Sequence, residues 1–250
     1  MRRVLVRILA ALGILIALAA IGFVVWGSTP QAASDEALEA LVSDSYVRVE
    51  TEPWISFTPA TGSPQAGFIV YPGGHVDPRA YAPLARQIAA QGYRVVIVPM
   101  PLALAVLAPD EALDVMAANP TISWWVIGGH SLGGAMAARF AYTHPEDVDG
   151  LALWAAYPAS TDDLSEYDVT VTSIFGTLDG LATSDKIEAS RPLLPPDTHW
   201  VPIEGGNHAQ FGDYGAQAGD GVATISPAGQ QAQAAEGTVE LLEEIVETAP

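Results

Sequence analysis

The chain has 250 residues, half of them hydrophobic, and its 29 acidic against 10 basic side chains give a formal charge of −19. That length can bury one sizeable core, so one α/β domain with additions is expected. The absence of cysteine excludes a disulfide framework, a thiolate nucleophile and a cysteine-based metal site, and the strong negative charge argues against nucleic acid as a partner.

Taken in order, the chain opens with a basic head holding Arg2, Arg3 and Arg7, followed by an uncharged apolar run from Ile8 to Trp26. As a helix that run is about 28 Å long, near the ~30 Å of a hydrocarbon core. A membrane anchor over residues 1–27 is expected. The arginines put Met1 in the cytoplasm and the remainder outside the cell membrane, as a single-pass protein. A cleaved signal peptide has the same charge order but a shorter apolar core and a small-x-small cleavage site, for which Pro30-Gln31-Ala32-Ala33 is a poor match.

Residues 28–45 are expected to be a linker and a short helix, opened by Ser34-Asp35-Glu36 through capping and acidic residues in the first turn. The remaining residues, 46–250, form the folded domain. Tyr46 to Val49 and Trp54 to Phe57 alternate as strands of an antiparallel edge, and Gly67 to Tyr71 is a continuous apolar strand. Strands and helices then alternate. The pattern predicts a helix over Pro78–Gln91, a strand over Tyr93–Val98, an apolar loop and helix over Pro101–Ala118 and a strand over Trp124–Gly128. Beyond these come strands Gly150–Ala156, Val169–Phe175 and His199–Ile203, a helix around Ser184–Ala189, and a last amphipathic helix from about Gln230 to Val246. Repeated βα units with apolar strands imply a mostly parallel, twisted sheet covered by helices on both faces, with ligands at the carboxyl ends of its strands.

The strand Trp124–Gly128 runs directly into Gly129-His130-Ser131-Leu132-Gly133 and then into a helix of small residues. A serine at such a corner sits in a tight turn that glycine neighbours permit, its hydroxyl held above the sheet edge. Ser131 is therefore the candidate nucleophile; the plainer alternative is a serine that merely caps the next helix. A nucleophilic serine needs a base within reach and an acid that fixes the base. Asp179 follows the strand Val169–Phe175 on a glycine-flanked turn, and His208 follows the strand His199–Ile203 in a glycine loop, so both belong to the catalytic edge. His199 lies within a strand, His144 ends the elbow helix, His130 packs inside the elbow, and Asp162, Asp163 and Asp168 precede a strand instead of following one. Gly73-Gly74, after strand Gly67–Tyr71, suits an oxyanion donor: Gly74, with His75 as the alternative, paired with the Leu132 N–H.

Four separated motifs, Tyr71-Pro72-Gly73-Gly74, Gly129 to Gly133, Gly176-Thr177-Leu178-Asp179-Gly180 and Gly205-Gly206-Asn207-His208, together resemble the α/β-hydrolase superfamily. The stretch Asn207 to Gly215 is similar to its membrane-anchored, lidless fold-5 branch. The resemblance runs from about Ala66 to the end. It implies a Ser131–His208–Asp179 triad with an oxyanion hole from Gly74 and Leu132, and departs from the general superfamily in having Tyr71-Pro72 where His-Gly is usual. The expected activity is hydrolysis of a small or medium acyl ester through an acyl-enzyme, with no metal or organic cofactor and no obligate protein partner. An acyltransferase using the same triad, or a non-catalytic binding protein on this fold, are the alternatives. Asp213 and Asp220 lie among glycines but match no calcium-loop spacing. Only Tyr157 to Asp168 lie where relatives insert a lid, so an open site is expected. Three roles are open to the apolar stretch Met100 to Leu107: lining an acyl pocket, touching the bilayer, or forming one face of a buried helix.

Overall fold

Strands that are apolar on both faces need cover on both faces, and the helices between them supply it. The computed structural model describes residues 2–248. Its strands are β1 (Val47–Glu50), β2 (Ile55–Pro59), β3 (Ala66–Tyr71), β4 (Arg94–Ile97), β5 (Trp124–His130), β6 (Gly150–Trp154), β7 (Thr170–Gly176) and β8 (His199–Ile203). They form one sheet in the order β1-β2-β4-β3-β5-β6-β7-β8. Only β2 runs against its neighbours; all other pairings are parallel. The chain passes from β3 outward to β4 and then back across β3 to β5, which makes the β3–β5 boundary the switch point where open α/β sheets place their ligands.

The helices are α1 (Arg2–Gly27), α2 (Asp35–Glu39), α3 (Ala82–Ala90), α4 (Ala112–Ala118), α5 (Leu132–Thr143), α6 (Ser184–Ser190) and α7 (Pro227–Thr248). Residues of β3 alternate between two cores: Ala66, Phe68 and Val70 join α3 and α7 on one face, while Ile69 and Tyr71 join α4 and α5 on the other. The small side chains Ala137, Ala138 and Ala141 of α5 are buried in the second core, so α5 lies close to the sheet.

Several elements differ in extent from the expectation. The helix expected over Pro78–Gln91 is a 3₁₀ turn, Pro78–Tyr81, followed by α3. Asp77 caps that turn, and Pro78 starts it. The final helix begins at Pro227, because Ser226 bonds the Gly229 N–H and Pro227 suits the first helical position. The apolar stretch after β4 forms two short 3₁₀ turns, Pro101–Ala103 and Ala105–Leu107, before α4. Residues 28–45 lie on the domain: Gln31 bridges to Val76, the Ser34 N–H bonds the Asp213 carbonyl, and Ala37 is fully buried.

α1 is the one helix among the described residues that is long and apolar enough to cross a membrane, over Arg7–Gly27. Its large apolar side chains from Ile8 to Trp26 are exposed.

Candidate active site

Among the described residues five non-glycine positions have positive φ, namely His75, Leu102, Ala103, Ser131 and Ala155, and all follow the carboxyl ends of β3, β4, β5 or β6. Backbone held in this region costs about 1–3 kcal/mol per residue and clusters at functional sites. Ser131, at φ 53° and ψ −120°, is the corner between β5 and α5. Its N–H bonds the Trp154 carbonyl and its own carbonyl accepts from Ala135, so the corner is held by both neighbours. The flanking glycines are sterically required: a Cβ on Gly129 or Gly133 would lie 2.1 or 2.0 Å from the Tyr71 carbonyl oxygen. The Ser131 side chain does not cap α5, which sets aside the plain capping serine.

Asp179 and His208 are brought together. His208 Nδ1 lies 2.8 Å from Asp179 Oδ2, and both side chains are almost wholly buried. The other carboxylate oxygen, Oδ1, accepts the Leu181 and Ala182 N–H groups at 2.7 Å each. A carboxylate held as an acceptor on both oxygens requires the Nδ1–H tautomer of His208, leaving the Nε2 lone pair free. That Nε2 is buried and has no hydrogen-bond partner. Ser131 and His208 line one cavity of ≈ 310 Å³ with Leu132, Ala135, Ala155, Ala156, Tyr157, Leu181 and Ala182. No hydrogen bond joins Ser131 Oγ to His208 Nε2; such contacts often tighten only when substrate binds.

The oxyanion donors sort by elimination. The Gly73 N–H is committed to the Tyr81 hydroxyl at 2.9 Å, and the His75 N–H to the Ala103 carbonyl at 2.8 Å. His75, the alternative donor, is thereby ruled out: its N–H points into the 3₁₀ turn after β4. Gly74 lies against Leu132, whose Cδ2 would be 3.0 Å from a Cβ on Gly74, and neither residue's N–H is used in a turn or loop hydrogen bond. Leu132 directly follows Ser131 in the chain.

Three supporting residues had no sequence signal that singled them out. Asp220 accepts four backbone N–H groups: Gly180 from the loop after β7, His208 and Ala209 from the loop after β8, and Gly221. One carboxylate thus ties Asp179 and His208 to each other. Buried Gln230 on α7 accepts the Asn207 N–H and donates to the Asn207 carbonyl, holding the loop that carries His208. The Tyr81 hydroxyl accepts from the Gly73 N–H and shares a 2.8 Å hydrogen bond with His130 Nδ1. His130, fully buried with its ring 4.4 Å from that of His208, is kept neutral: burial, reinforced by His208, pushes its pKa well below the ordinary value of 6.5. Burial likewise pushes the Tyr81 hydroxyl upward, so it stays protonated.

The remaining candidates lie elsewhere. His144 ends α5 beside Asp110, and His199 faces Glu244 across the surface. Asp162 pairs with Arg139 at 2.6 Å, and Asp163 caps Ser165. Among the described residues no cluster of three or more His, Asp or Glu side chains is arranged to hold a metal ion, and the Asp220 carboxylate is taken up by backbone N–H groups.

The sequence model described as "Alpha/beta hydrolase family" matches residues 67–232. Among solved structures, a predicted CIB-like hydrolase from Thermoplasma acidophilum superposes with a TM-score of 0.59 at 14% identity, covering 79% of this chain and 98% of that one. The esterase domain of a Rhodothermus marinus protein gives 0.58 at 14% identity, covering 75% and 90%. An alpha/beta hydrolase from a sediment metagenome of the Mar Chica lagoon, Morocco, gives 0.53 at 16%, covering 68% and 92%. At these identities the likeness is one of fold. No match is found among curated proteins.

Proposed function

The chain belongs to the alpha/beta hydrolase family, and on that premise we propose that it is a serine hydrolase that cleaves carboxylic esters through an acyl-enzyme. One observation carries the reading: the buried His208–Asp179 pair presents an unpartnered Nε2 to the cavity that the strained Ser131 also lines. His208 takes the Ser131 proton as Oγ attacks the ester carbonyl, and Gly74 and Leu132 N–H groups hold the oxyanion. The proton passes to the departing alcohol. Water, activated by the same imidazole, then releases the acid and restores Ser131. The apolar, open cavity suits a small or medium acyl group.

We further place the chain in the cell membrane through α1, with Arg2, Arg3 and Arg7 on the cytoplasmic side and the domain outside. The test of the catalytic reading is reaction of the full-length protein with a fluorophosphonate, followed by peptide mass mapping. Label is expected on Ser131. It should vanish in Ser131→Ala, and ester turnover by that variant should fall on the order of 10⁶-fold. Asp179→Asn should fold and lose about 10⁴-fold. Labelling elsewhere, or none on a folded protein, would overturn the reading.

A further inference from the structure

The end of α1 is built into the loop that carries the proposed oxyanion donor. The Trp26 ring stacks on the His75 ring with centroids 4.2 Å apart and planes 6° from parallel, and the Trp26 carbonyl bonds His75 Nε2 at 2.7 Å. The next residues continue the contact. Gln31 accepts from Asp77 and donates to the His75 carbonyl, forming a short parallel bridge. Gly27 lies so close to the second loop of this edge that a Cβ there would sit 2.7 Å from the Leu102 Cβ. Three of the five strained residues, His75, Leu102 and Ala103, meet at this junction.

The junction fixes where the site lies relative to a membrane. A span over Arg7–Gly27 is about 31 Å long, which places Trp26 and Gly27 at the outer interface, a depth that tryptophan favours. His75 and Leu102 touch those two residues and therefore lie at the same depth. Gly74 adjoins His75, and Leu104 lies across Gly74, 3.8 Å from where its Cβ would be. The following residues, Val106 and Leu107, are 52% and 49% exposed and give this edge an outward apolar face that continues from the helix end.

We propose that the oxyanion side of the site rests on the outer membrane surface and that the substrate is a lipophilic ester without net charge, drawn from the bilayer. This rests on the serine-hydrolase reading and on the membrane placement above. One part of the ester enters the cavity beside Ser131, and the rest stays in lipid along Leu104 and Leu102. An ester carbonyl lies at headgroup depth, level with Gly74. The charge of the domain, seven basic against 29 acidic residues beyond Arg7, repels anionic lipids and selects neutral ones. The reaction is ester plus water giving acid plus alcohol, the alcohol taking the proton removed from Ser131.

Because the chain has no cysteine, a single substitution creates a unique labelling site. The full-length protein is reconstituted in phosphatidylcholine vesicles with a nitroxide on Val106→Cys or on Glu146→Cys, an exposed residue on the loop before β6, at the opposite edge of the sheet. Relaxation of the Val106→Cys label by lipid-soluble oxygen, with the Glu146→Cys label open to aqueous nickel, is expected. Equal aqueous access at both sites would overturn the proposal whatever the activity. Turnover of 4-methylumbelliferyl decanoate dissolved in the vesicles is then compared with that of the water-soluble acetate. Leu107→Asp should slow the first about tenfold and leave the second and the fluorophosphonate labelling of Ser131 unchanged. Equal loss on both esters, or none on the decanoate, would overturn the substrate assignment. Failure of Ser131 to label would instead remove the hydrolase reading, which the nitroxide depth does not depend on.

Discussion

A single carboxylate that collects N–H groups from two loops is worth more to a site than its distance from the reacting atoms suggests. Asp220 is such a residue, a positioning group that touches neither the cavity nor Ser131. Asp220→Asn keeps the size but removes the charge that strengthens all four hydrogen bonds. The variant is expected to lose about 2 kcal/mol of stability in urea unfolding. Ester kcat should fall about tenfold with an altered pH profile, since a shift in His208 relative to Asp179 changes how the imidazole is held. His130 makes a different prediction. Its folded pKa lies below the unfolded value of 6.5, so the unfolded chain binds the proton more readily. The stabilisation is present above pH 6.5 and is lost as pH falls below it. Between pH 7 and pH 5, the urea midpoint of His130→Gln should therefore fall less than that of the parent chain.

Among the elements, the β5–α5 corner has little steric tolerance. Its geometry comes from β3 as much as from its own residues, because the Tyr71 and Pro72 carbonyls occupy the space a side chain on Gly133 would need. Gly133→Ala is expected to cost about 3 kcal/mol or more, read in urea unfolding, and to slow fluorophosphonate labelling of Ser131. An alanine usually favours a helix over glycine, so a neutral or stabilising result would show that the corner is looser than this packing. The loops after β7 and β8 are held differently. They continue the strand pairing through Leu178 N–H to Gly206 O at 2.8 Å and through Gly205 N–H to the Thr177 hydroxyl at 3.0 Å, so the loops carrying Asp179 and His208 are tied together.

Across the whole molecule the dominant surface property is charge. A formal −19 makes the folded state repel itself, and few cations are present to offset it. Raising sodium chloride from low ionic strength to about 0.5 M should raise the melting temperature, as the screening length drops from roughly 30 Å toward a few Å. A fall or no change would mean that local ion pairs such as Arg139–Asp162 outweigh the net repulsion. The net negative charge contrasts with the exposed apolar edge at Val106 and Leu107, and that contrast supports the proposed orientation on the membrane.

The fold class was legible in the chain because it depends on local patterns: apolar strands alternating with helices, and glycines that only a tight corner requires. Ser131, Asp179 and His208 stood out as candidates for the same reason, each lying just past a strand end with glycines beside it, and the fold brings Asp179 and His208 within 2.8 Å. Element limits were less so where capping decided them, as at Asp77 and Ser226. What tertiary structure alone decided is which groups meet. Nothing in Asp220, Gln230 or Tyr81 as letters indicates a partner, because their hydrogen bonds reach groups as many as 49 residues away in the chain. Whether the Gly74 or the His75 N–H stays free could not be decided until the Ala103 carbonyl was seen to take the His75 N–H. The apolar run to Trp26 was plain from composition, but its stacking on His75 was not. Periodicity and turn chemistry act over a few residues, whereas a hydrogen bond or a stacked ring is a fact of distance that only the folded chain establishes.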